Sequence, residues 1–161
     1  VTSKGGTSIQ SKTGHAFIKQ VMRLNNAVYG GEISAHHYFR DFAFCDSGMI
    51  PWILMTEIVS RSGKPISALV KNQQKKFPSS GEENFNVKNA DLAMESIFQI
   101  FKTQAKSIEK IDGLSFAFDN WRFNLRKSNT ESLLRLNIEA SQASDIIDEK
   151  VLQISNILRD L

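Results

Sequence analysis

The sequence has very little cysteine and no long hydrophobic segment, and both absences narrow the classes of protein to which it can belong. A single cysteine, Cys45, excludes an internal disulfide framework, and it is most simply a buried thiol. The most apolar run, residues 49–55, is far shorter than the roughly 20 residues that cross a bilayer. No secretory signal opens the sequence. We therefore expect a cytoplasmic globular protein without a membrane partner.

Positive charge is concentrated in the first half of the chain. Residues 1–81 contain ten basic and four acidic side chains, a net charge of +6, whereas residues 82–161 contain ten and thirteen, a net charge of −3. A basic first half favours a small anionic ligand. Its one tight basic cluster, Lys71, Lys75 and Lys76, has no interleaved aromatic residues. We interpret this cluster as the solvated end of a helix and expect no nucleic-acid partner.

Residues 126–130, R-K-S-N-T, form a polar cluster between two strand-like segments. Apolar and polar residues alternate in 121–125 and again in 134–140, which predicts two half-buried strands joined by a hairpin turn. A guanidinium supplies a planar fork of donors, and hydroxyl and amide groups add further donors around it. Such a turn suits a phosphate dianion, although the same residues can simply satisfy a turn. The candidate phosphate-binding residues are Arg126, Ser128, Asn129 and Thr130.

A second cluster, G-G-E-I-S-A-H-H at residues 30–37, follows an apolar segment. Its two glycines allow a tight backbone path. In an extended segment alternate residues share one face, so Glu32, Ser34 and His36 are expected to point together. A carboxylate, a hydroxyl and an imidazole on one face suit a polyhydroxylated ligand, whereas the alternative is a polar edge strand. His37 points the other way and is interpreted as structural.

His15 follows Gly14 where a helix is predicted to begin. The free N–H groups and positive dipole end there favour an anion, and a helix-capping role is the alternative. A zinc site assembled from the three histidines and Cys45 lacks paired-ligand spacing. We therefore expect no metal site in this chain.

Periodicity predicts an α/β arrangement before the Pro/Ser/Gly-rich boundary near residue 78. The predicted elements are a strand at Thr7–Gln10, a helix at Ala16–Leu24, two short strands around Glu32, and a helix from about Ser47 to Ser62 with Asp46 or Ser47 as its cap and Gly63 beyond its end. Pro51 is tolerated only in the first turn of that helix.

An α+β domain with an antiparallel sheet and two helices is predicted after this boundary. Its elements are a strand at Asn84–Val87, a helix capped by Asn89 with Ala93, Ile97 and Phe101 on one face, strands near Leu114–Phe118, Trp121–Leu125 and Leu133–Ala140, and a helix capped by Ser144 with Ile147, Val151, Ile154 and Leu158 on one stripe. The predicted division is residues 1–76, a linker over 77–83, and residues 84–161.

The two polar clusters, together with K-T-G-H at residues 12–15, resemble motifs of the α-D-phosphohexomutases, in particular the C-terminal part of bacterial phosphomannomutases. In that family a G-E-M-S-(G/A)-H loop binds the sugar hydroxyls, and an R-x-S-N-T loop binds the phosphate that is not being transferred. The resemblance covers essentially the whole chain. Ile33 replaces the usual methionine, and Ser132 stands where a proline normally occurs, which loosens the turn after the phosphate loop.

The resemblance implies a partial third domain that binds the sugar, followed by a phosphate-binding C-terminal domain. It assigns substrate binding to Lys12, His15, Glu32, Ser34 and His36, with His36 as the candidate general acid or base. It implies a phosphomannomutase that interconverts mannose 6-phosphate and mannose 1-phosphate through a bisphosphorylated intermediate. A mutase that also uses glucose phosphates and a non-catalytic anion-binding or interaction module are the alternatives. Hexosamine mutases are disfavoured, because they typically carry Gly in place of Asn129 and Gln in place of Ile33.

Two family motifs are missing from the chain. The Thr-Ala-Ser-His type loop that carries the phosphoserine and the Asp-x-Asp-x-Asp loop that binds Mg²⁺ belong to the first and second domains, and neither occurs here. We therefore expect a truncated form whose partners are the N-terminal domains of the same protein, which supply the magnesium ligands. This fragment alone is expected to be inactive.

Overall fold

The computed structural model describes residues 1–128, 131, 133–141 and 145–159. The chain divides into two compact units, Val1–Ile66 and Ser67–Leu161. Within the described residues, no helix is both long enough and apolar enough to cross a membrane.

The first unit combines two helices with a small antiparallel sheet. Its elements are α1 (His15–Leu24), β1 (Tyr29–Gly31), β2 (His37–Phe39), β3 (Cys45–Asp46) and α2 (Met49–Ser62). The strand β2 is central, since Tyr38 is in register with Gly30 of β1 and with Asp46 of β3. Single 3₁₀ turns occupy Thr2–Lys4 and Arg40–Phe42.

The core of the first unit lies where β2 packs on α1. Ile18, Met22 and Tyr38 are buried, and Tyr38 is fully so. A Cβ at Gly30 would lie 2.7 Å from Met22 Sδ, so only glycine allows β1 to approach α1 this closely. The spacing of Ile18 and Met22 places His15 on the same face of α1, one turn earlier. This packing fixes the start of α1 next to the centre of the sheet.

Helix α2 is apolar in sequence but has no buried residue. Trp52 is 62 % exposed, and several aliphatic side chains of the helix are comparably exposed. Pro51 lies in the first turn and Gly63 ends the helix with a left-handed φ of 63°, as predicted, but the N-cap is Gly48 and not the predicted Asp46 or Ser47. Ser47 Oγ accepts a hydrogen bond from the N–H of Ile50 at 3.4 Å, one residue ahead of the N-cap, Gly48.

The second unit is a five-stranded antiparallel sheet with helices packed against it. Helix α3 (Ile66–Lys76) begins at the boundary of the two units, and the later elements are β4 (Ser79–Phe85), α4 (Ala90–Phe101), β5 (Ser107–Glu109), β6 (Leu114–Ala117), β7 (Trp121–Lys127), β8 (Leu134–Ala140) and α5 (Asp145–Arg159). The strand order is β4-β8-β7-β6-β5. The hairpin of β7 and β8 is thus near the middle of the sheet.

One face of this sheet and two helices enclose the larger core. Alternate residues of β7 and β8 face α4 and α5, and each of these buried side chains stabilises the fold by about 1.5–3 kcal/mol. The buried residues on this face include Ala93, Ile97, Phe101, Phe123, Leu125, Leu136, Ile138, Ile147, Ile154 and Leu158. At one edge of the core, Trp121 stacks on Phe118 with ring centroids 4.1 Å apart. The opposite face of the sheet carries the polar residues of the same strands.

The predicted fold class is confirmed in both parts, as are α1, the capped helix α4 and the hairpin of β7 and β8. The predicted strand at Thr7–Gln10 is wrong, because these residues form no regular structure. Residues 79–83, predicted as linker, instead belong to β4, which pairs with β8. Strands β3 and β5 were missed, and the predicted cap Ser144 lies outside the described residues. The division into domains remains a prediction.

Candidate functional site

The first candidate site surrounds the turn between β1 and β2. In this turn the N–H of Glu32 donates to the carbonyl of His36, and the N–H of Ala35 donates to the carbonyl of Glu32, both at 3.0 Å. Ala35 has a φ of 63°, in the left-handed region. The extended conformation predicted for residues 32–36 is therefore wrong, because the chain reverses direction there.

The turn nevertheless brings three predicted substrate-binding side chains together. Ser34 Oγ lies 2.9 Å from His36 Nδ1, which in turn lies 3.7 Å from Glu32 Oε2. The side chain of Glu32 is 8 % exposed, whereas that of His36 is 40 % exposed. A nearly buried carboxylate thus adjoins a more accessible imidazole and hydroxyl.

The N-terminus of α1 provides the other side of this site. The backbone N–H of Gly14 donates to Glu32 Oε1 at 2.9 Å, directly before the helix begins at His15. The rings of His15 and His36 meet edge to face, with centroids 4.8 Å apart. The N-terminus of a helix favours an anion, and the carboxylate of Glu32 is the anion at the N-terminus of α1.

Lys12 is placed differently from the other predicted substrate-binding residues. Its Nζ lies 5.8 Å from the centroid of the Phe17 ring, a cation–π contact on α1. Contacts between described residues therefore join His15, Glu32, Ser34 and His36 into one group, and Lys12 lies outside it.

Tyr38 belongs to this group, although sequence reasoning missed it. Its Oη lies 2.9 Å from Glu32 Oε2 and 2.9 Å from His15 Nδ1. Burial, then the hydrogen bond and charge of Glu32, and finally the charge of Asp46 raise the pKa of Tyr38 well above its usual 10.0. The phenol therefore stays protonated. No local pattern in the sequence indicated Tyr38, because its two contacts depend on how β2 packs against α1.

His37 faces a different environment from His36. Its Nδ1 lies 2.7 Å from the Oη of Tyr29, and its backbone N–H donates to Asp46 Oδ1 at 2.9 Å. These bonds tie β2 to β1 and β3. The geometry is consistent with the structural role predicted for His37.

The second candidate site lies at the β7–β8 hairpin of the other unit. Arg126 and Arg135 are cross-strand partners, and the carboxylate of Glu82 binds both, at 3.3 Å from Arg126 Nη2 and 3.0 Å from Arg135 Nη1. The side chain of Arg126 is only 11 % exposed. Sequence reasoning did not single out Glu82 or Arg135. The predicted hairpin indicates Arg135 once its register is known, because that register places Arg135 directly opposite Arg126.

The turn that follows Arg126 is closed by Ser128. Its N–H donates to the carbonyl of Leu133 at 2.9 Å, and its Oγ accepts from the N–H of Glu131 at 3.2 Å. The other two candidate phosphate-binding residues, Asn129 and Thr130, lie outside the described residues, as does Ser132.

A cavity of about 390 Å³ opens beside this site. Lys127 Nζ lies 2.6 Å from Asp91 Oδ1 at its edge. The cavity is lined by charges of both signs, so its lining does not by itself indicate an anion site. Its charged lining residues are Asp91, Glu95, Lys110, Asp112, Arg126 and Lys127.

The described part of the chain contains no cluster of metal-ligating side chains. No group of three or more His, Cys, Asp or Glu side chains there could hold a metal ion.

Two protein-family models match the chain, one in each part. The model of phosphoglucomutase/phosphomannomutase alpha/beta/alpha domain III matches residues 1–77, and that of the C-terminal domain of the same enzymes matches residues 82–153. The chain belongs to the phosphoglucomutase/phosphomannomutase family. The predicted resemblance of the chain to this family is thereby confirmed. The Glu32 group falls in the domain III match, and the Arg126 hairpin falls in the C-terminal match.

Curated relatives in this family are about half identical to the chain. A phosphomannomutase of Vibrio cholerae is 50 % identical over 162 residues, covering 100 % of this chain. Phosphohexose mutases of Xanthomonas campestris are 50 % identical over 99 % of the chain, and a phosphomannomutase of Escherichia coli K12 is 46 % identical over 99 %. The chain spans only 35–36 % of the length of these relatives.

The fold also matches a solved structure of the family. A phosphoglucomutase/phosphomannomutase family protein from Burkholderia thailandensis superposes with a TM-score of 0.77 at 28 % sequence identity. The match covers 99 % of this chain and 34 % of that protein. Both kinds of comparison therefore match the chain to about one third of a family member.

Proposed function

We propose that this chain is the C-terminal substrate-binding part of a phosphomannomutase, which interconverts mannose 6-phosphate and mannose 1-phosphate through a bisphosphorylated sugar. The observation that carries the proposal is the cluster of Glu32, Ser34 and His36, in which Ser34 is hydrogen-bonded to His36 and the carboxylate of Glu32 lies 3.7 Å from His36 Nδ1. This cluster occurs in a chain that is 50 % identical in sequence, over its whole length, to a protein named phosphomannomutase.

The Glu32 group is suited to binding sugar hydroxyls. Each carboxylate oxygen of Glu32 accepts one internal hydrogen bond, from Gly14 N–H or from Tyr38 O–H. A carboxylate has about four acceptor sites, so two remain for hydroxyl protons of a sugar. Ser34 adds a hydroxyl that donates and accepts. Lys12 and His15 are proposed to complete the rim of this sugar site.

The Arg126 hairpin is suited to binding the phosphate that is not transferred. Arg126 and Arg135 carry two positive charges; Glu82 pairs with both, and Glu131 pairs with Arg135 alone, at 3.0 Å. The planar fork of Arg126 favours a phosphate dianion, because a guanidinium binds phosphate oxygens in a bidentate manner. Ser128, Asn129 and Thr130 are proposed to donate further hydrogen bonds to it.

Catalysis by this part of the enzyme is proposed to rest on positioning and charge stabilisation. The bisphosphorylated sugar turns around between two phosphoryl transfers, so one arginine loop must hold a phosphate at either end of the sugar. His36 is the candidate general acid or base. Its Nδ1 lies beside Ser34 and Glu32, which assigns proton exchange with a sugar hydroxyl to its other nitrogen, Nε2.

The remaining chemistry is proposed to come from N-terminal domains of the same protein in the cytoplasm. Enzymes of this kind use Mg²⁺ to stabilise charge on the transferred phosphoryl group, and those domains would hold it. Glucose phosphates are a second substrate class, because both matching family models combine phosphoglucomutases with phosphomannomutases.

Titration calorimetry on the purified chain tests the binding proposal. Mannose 6-phosphate is expected to bind in a saturable manner and more tightly than either inorganic phosphate or mannose, because it alone has both a phosphate and a set of hydroxyls. If inorganic phosphate binds as tightly as the sugar phosphate, the Glu32 group does not bind the sugar. If neither binds, the chain is not a substrate-binding part of a mutase.

A further inference from the structure

The buried hydroxyl of Tyr38 links two groups of the sugar site. The ring of Tyr38 packs against Ile18 and Met22, and its Oη lies 2.9 Å from both Glu32 Oε2 and His15 Nδ1. Glu32 is nearly buried, whereas His15 is exposed. A fixed hydroxyl therefore lies between an inner carboxylate and an outer imidazole.

Counting protons determines the direction of each hydrogen bond. A carboxylate oxygen only accepts, so the single hydroxyl proton of Tyr38 goes to Glu32 Oε2. The oxygen of Tyr38 then accepts from His15, which requires a proton on His15 Nδ1. In the neutral ring, Nε2 of His15 has no proton and is an acceptor.

We infer that Tyr38 is a positioning residue that sets the tautomer of His15, so that Nε2 of His15 accepts a hydrogen bond from a sugar hydroxyl. The inference rests on the proposed function, since it names how one residue of the sugar site binds its ligand. It goes further by adding a residue that does not touch the ligand and acts on His15 only through its hydroxyl oxygen, which accepts the Nδ1 proton. The hydroxyl proton of Tyr38 holds the carboxylate of Glu32 in place.

The chain contains a matched control pair. Tyr29 Oη lies 2.7 Å from His37 Nδ1, so it too bonds an imidazole through Nδ1. This pair involves neither Glu32 nor His15, and Tyr29 is 50 % exposed. Tyr29→Phe therefore removes a tyrosine–histidine bond of the same kind without touching the proposed sugar site.

The test is nitrogen-15 NMR of the histidine side chains in the purified chain, at a pH about two units above the ordinary histidine pKa of about 6.5. His15→Gln assigns the His15 signals. In the unmodified chain His15 is expected to carry its proton on Nδ1. Tyr38→Phe is expected to change the His15 tautomer, whereas Tyr29→Phe is expected to change only the signals of His37.

Ligand binding provides the second readout. Tyr38→Phe keeps the ring that packs on α1. It is expected to weaken mannose 6-phosphate binding by about 2- to 10-fold, the effect of losing the one hydrogen bond between the sugar and His15 Nε2. The affinity for inorganic phosphate is expected to stay unchanged. Tyr29→Phe is expected to bind both ligands as the unmodified chain does.

Two results overturn the inference. The first is a proton on Nε2 of His15 in the unmodified chain. This measurement does not use Tyr38→Phe and therefore holds even if that variant does not fold. The second is an unchanged His15 tautomer in a folded Tyr38→Phe protein. Failure of the proposed function is a separate result: no form of the chain would bind mannose 6-phosphate, whatever the tautomer.

Discussion

Arg126 donates a hydrogen bond to Glu82 at 3.3 Å, across 44 positions of sequence and from β7 to β4. Glu82 also binds Arg135, so one carboxylate lies between two guanidinium groups that face each other across the hairpin. Like charges directly opposite on paired strands are destabilising. The carboxylate offsets that repulsion and holds the guanidinium of Arg126 in one orientation.

Arg126→Ala is expected to lower kcat/KM of the proposed full-length mutase by about 10- to 100-fold or more. The reason is that each charge-assisted hydrogen bond contributes about 1.5–3 kcal/mol. Arg126→Lys is expected to recover only part of this loss, because an ammonium does not bind in a bidentate manner. Steady-state kinetics measure both effects.

The matched control for this prediction is Arg122→Ala. Arg122 lies on the same strand and pairs with Glu139, but its side chain is 60 % exposed. It is expected to leave kcat/KM within about twofold, since exposed ion pairs contribute little. Wild-type efficiency in both Arg126 variants would show that the hairpin does not bind phosphate.

Glu32→Gln separates sugar binding from phosphate binding. Gln keeps the shape of the side chain but removes its charge. It also replaces one accepting oxygen with a donating NH₂ group, which then faces the N–H of Gly14 or the O–H of Tyr38. Mannose 6-phosphate affinity is expected to fall by at least about tenfold, with inorganic phosphate affinity nearly unchanged. Titration calorimetry with both ligands measures the difference.

The control for the Glu32 variant is Glu57→Gln. Glu57 forms an exposed ion pair with Arg61 on α2 and is expected to change neither affinity. An equal loss of affinity for both ligands in Glu32→Gln would show that Glu32 acts on folding and does not bind the sugar specifically.

The 161-residue chain alone is expected to show no turnover of mannose phosphates at any magnesium concentration. Its described residues include no set of metal ligands, and the phosphoserine and magnesium motifs of the family do not occur in its sequence. Activity is expected when the chain is mixed with the remaining domains of a close relative. A coupled mutase assay, run with and without those domains, measures this, and turnover by the chain alone would refute the two-part mechanism.

Gly113 is expected to be indispensable for the stability of the second unit. It has a φ of +76°, and a Cβ there would overlap the carbonyl oxygen of Leu125 and lie 2.7 Å from the Cβ of Arg126. Gly113→Ala is therefore expected to lower the free energy of unfolding by about 1–2 kcal/mol for the left-handed backbone and a further 1–3 kcal/mol for the overlap.

Gly81→Ala is the control for this stability prediction. Gly81 has nearly the same φ, +73°, but no atom lies within 4 Å of its added Cβ. Only the backbone contribution of about 1–2 kcal/mol is expected there. Urea unfolding followed by circular dichroism compares the two variants, and equal losses would show that packing against β7 is unimportant.

The sequence predicted the elements whose signals are local. Asn89 caps α4 and the apolar stripe of that helix is buried, because capping and a 3.6-residue period depend on neighbouring residues only. The β7–β8 hairpin was predictable for the same reason. Residues 32–36 were expected to be extended, since an alternation of polar residues cannot distinguish a strand from a turn closed by a left-handed Ala35.

Contacts between distant elements were not predictable from these patterns. The bond from Tyr38 to His15 spans 23 positions, and it depends on how β2 packs against α1. The ion pair of Glu82 with Arg126 depends on β4 pairing with β8, which joins segments that have no turn in common. Each of these contacts depends on tertiary packing, and the local periodicity of a single sequence does not predict tertiary packing.

The two tryptophans of the chain lie in different units. Trp52 is exposed on α2, and Trp121 is stacked on Phe118 at the edge of the larger core. Intrinsic fluorescence can therefore be divided between the units by replacing one tryptophan at a time with phenylalanine. Each single-tryptophan protein then carries its own optical probe, and comparing their denaturation curves shows whether the two units melt together or in succession.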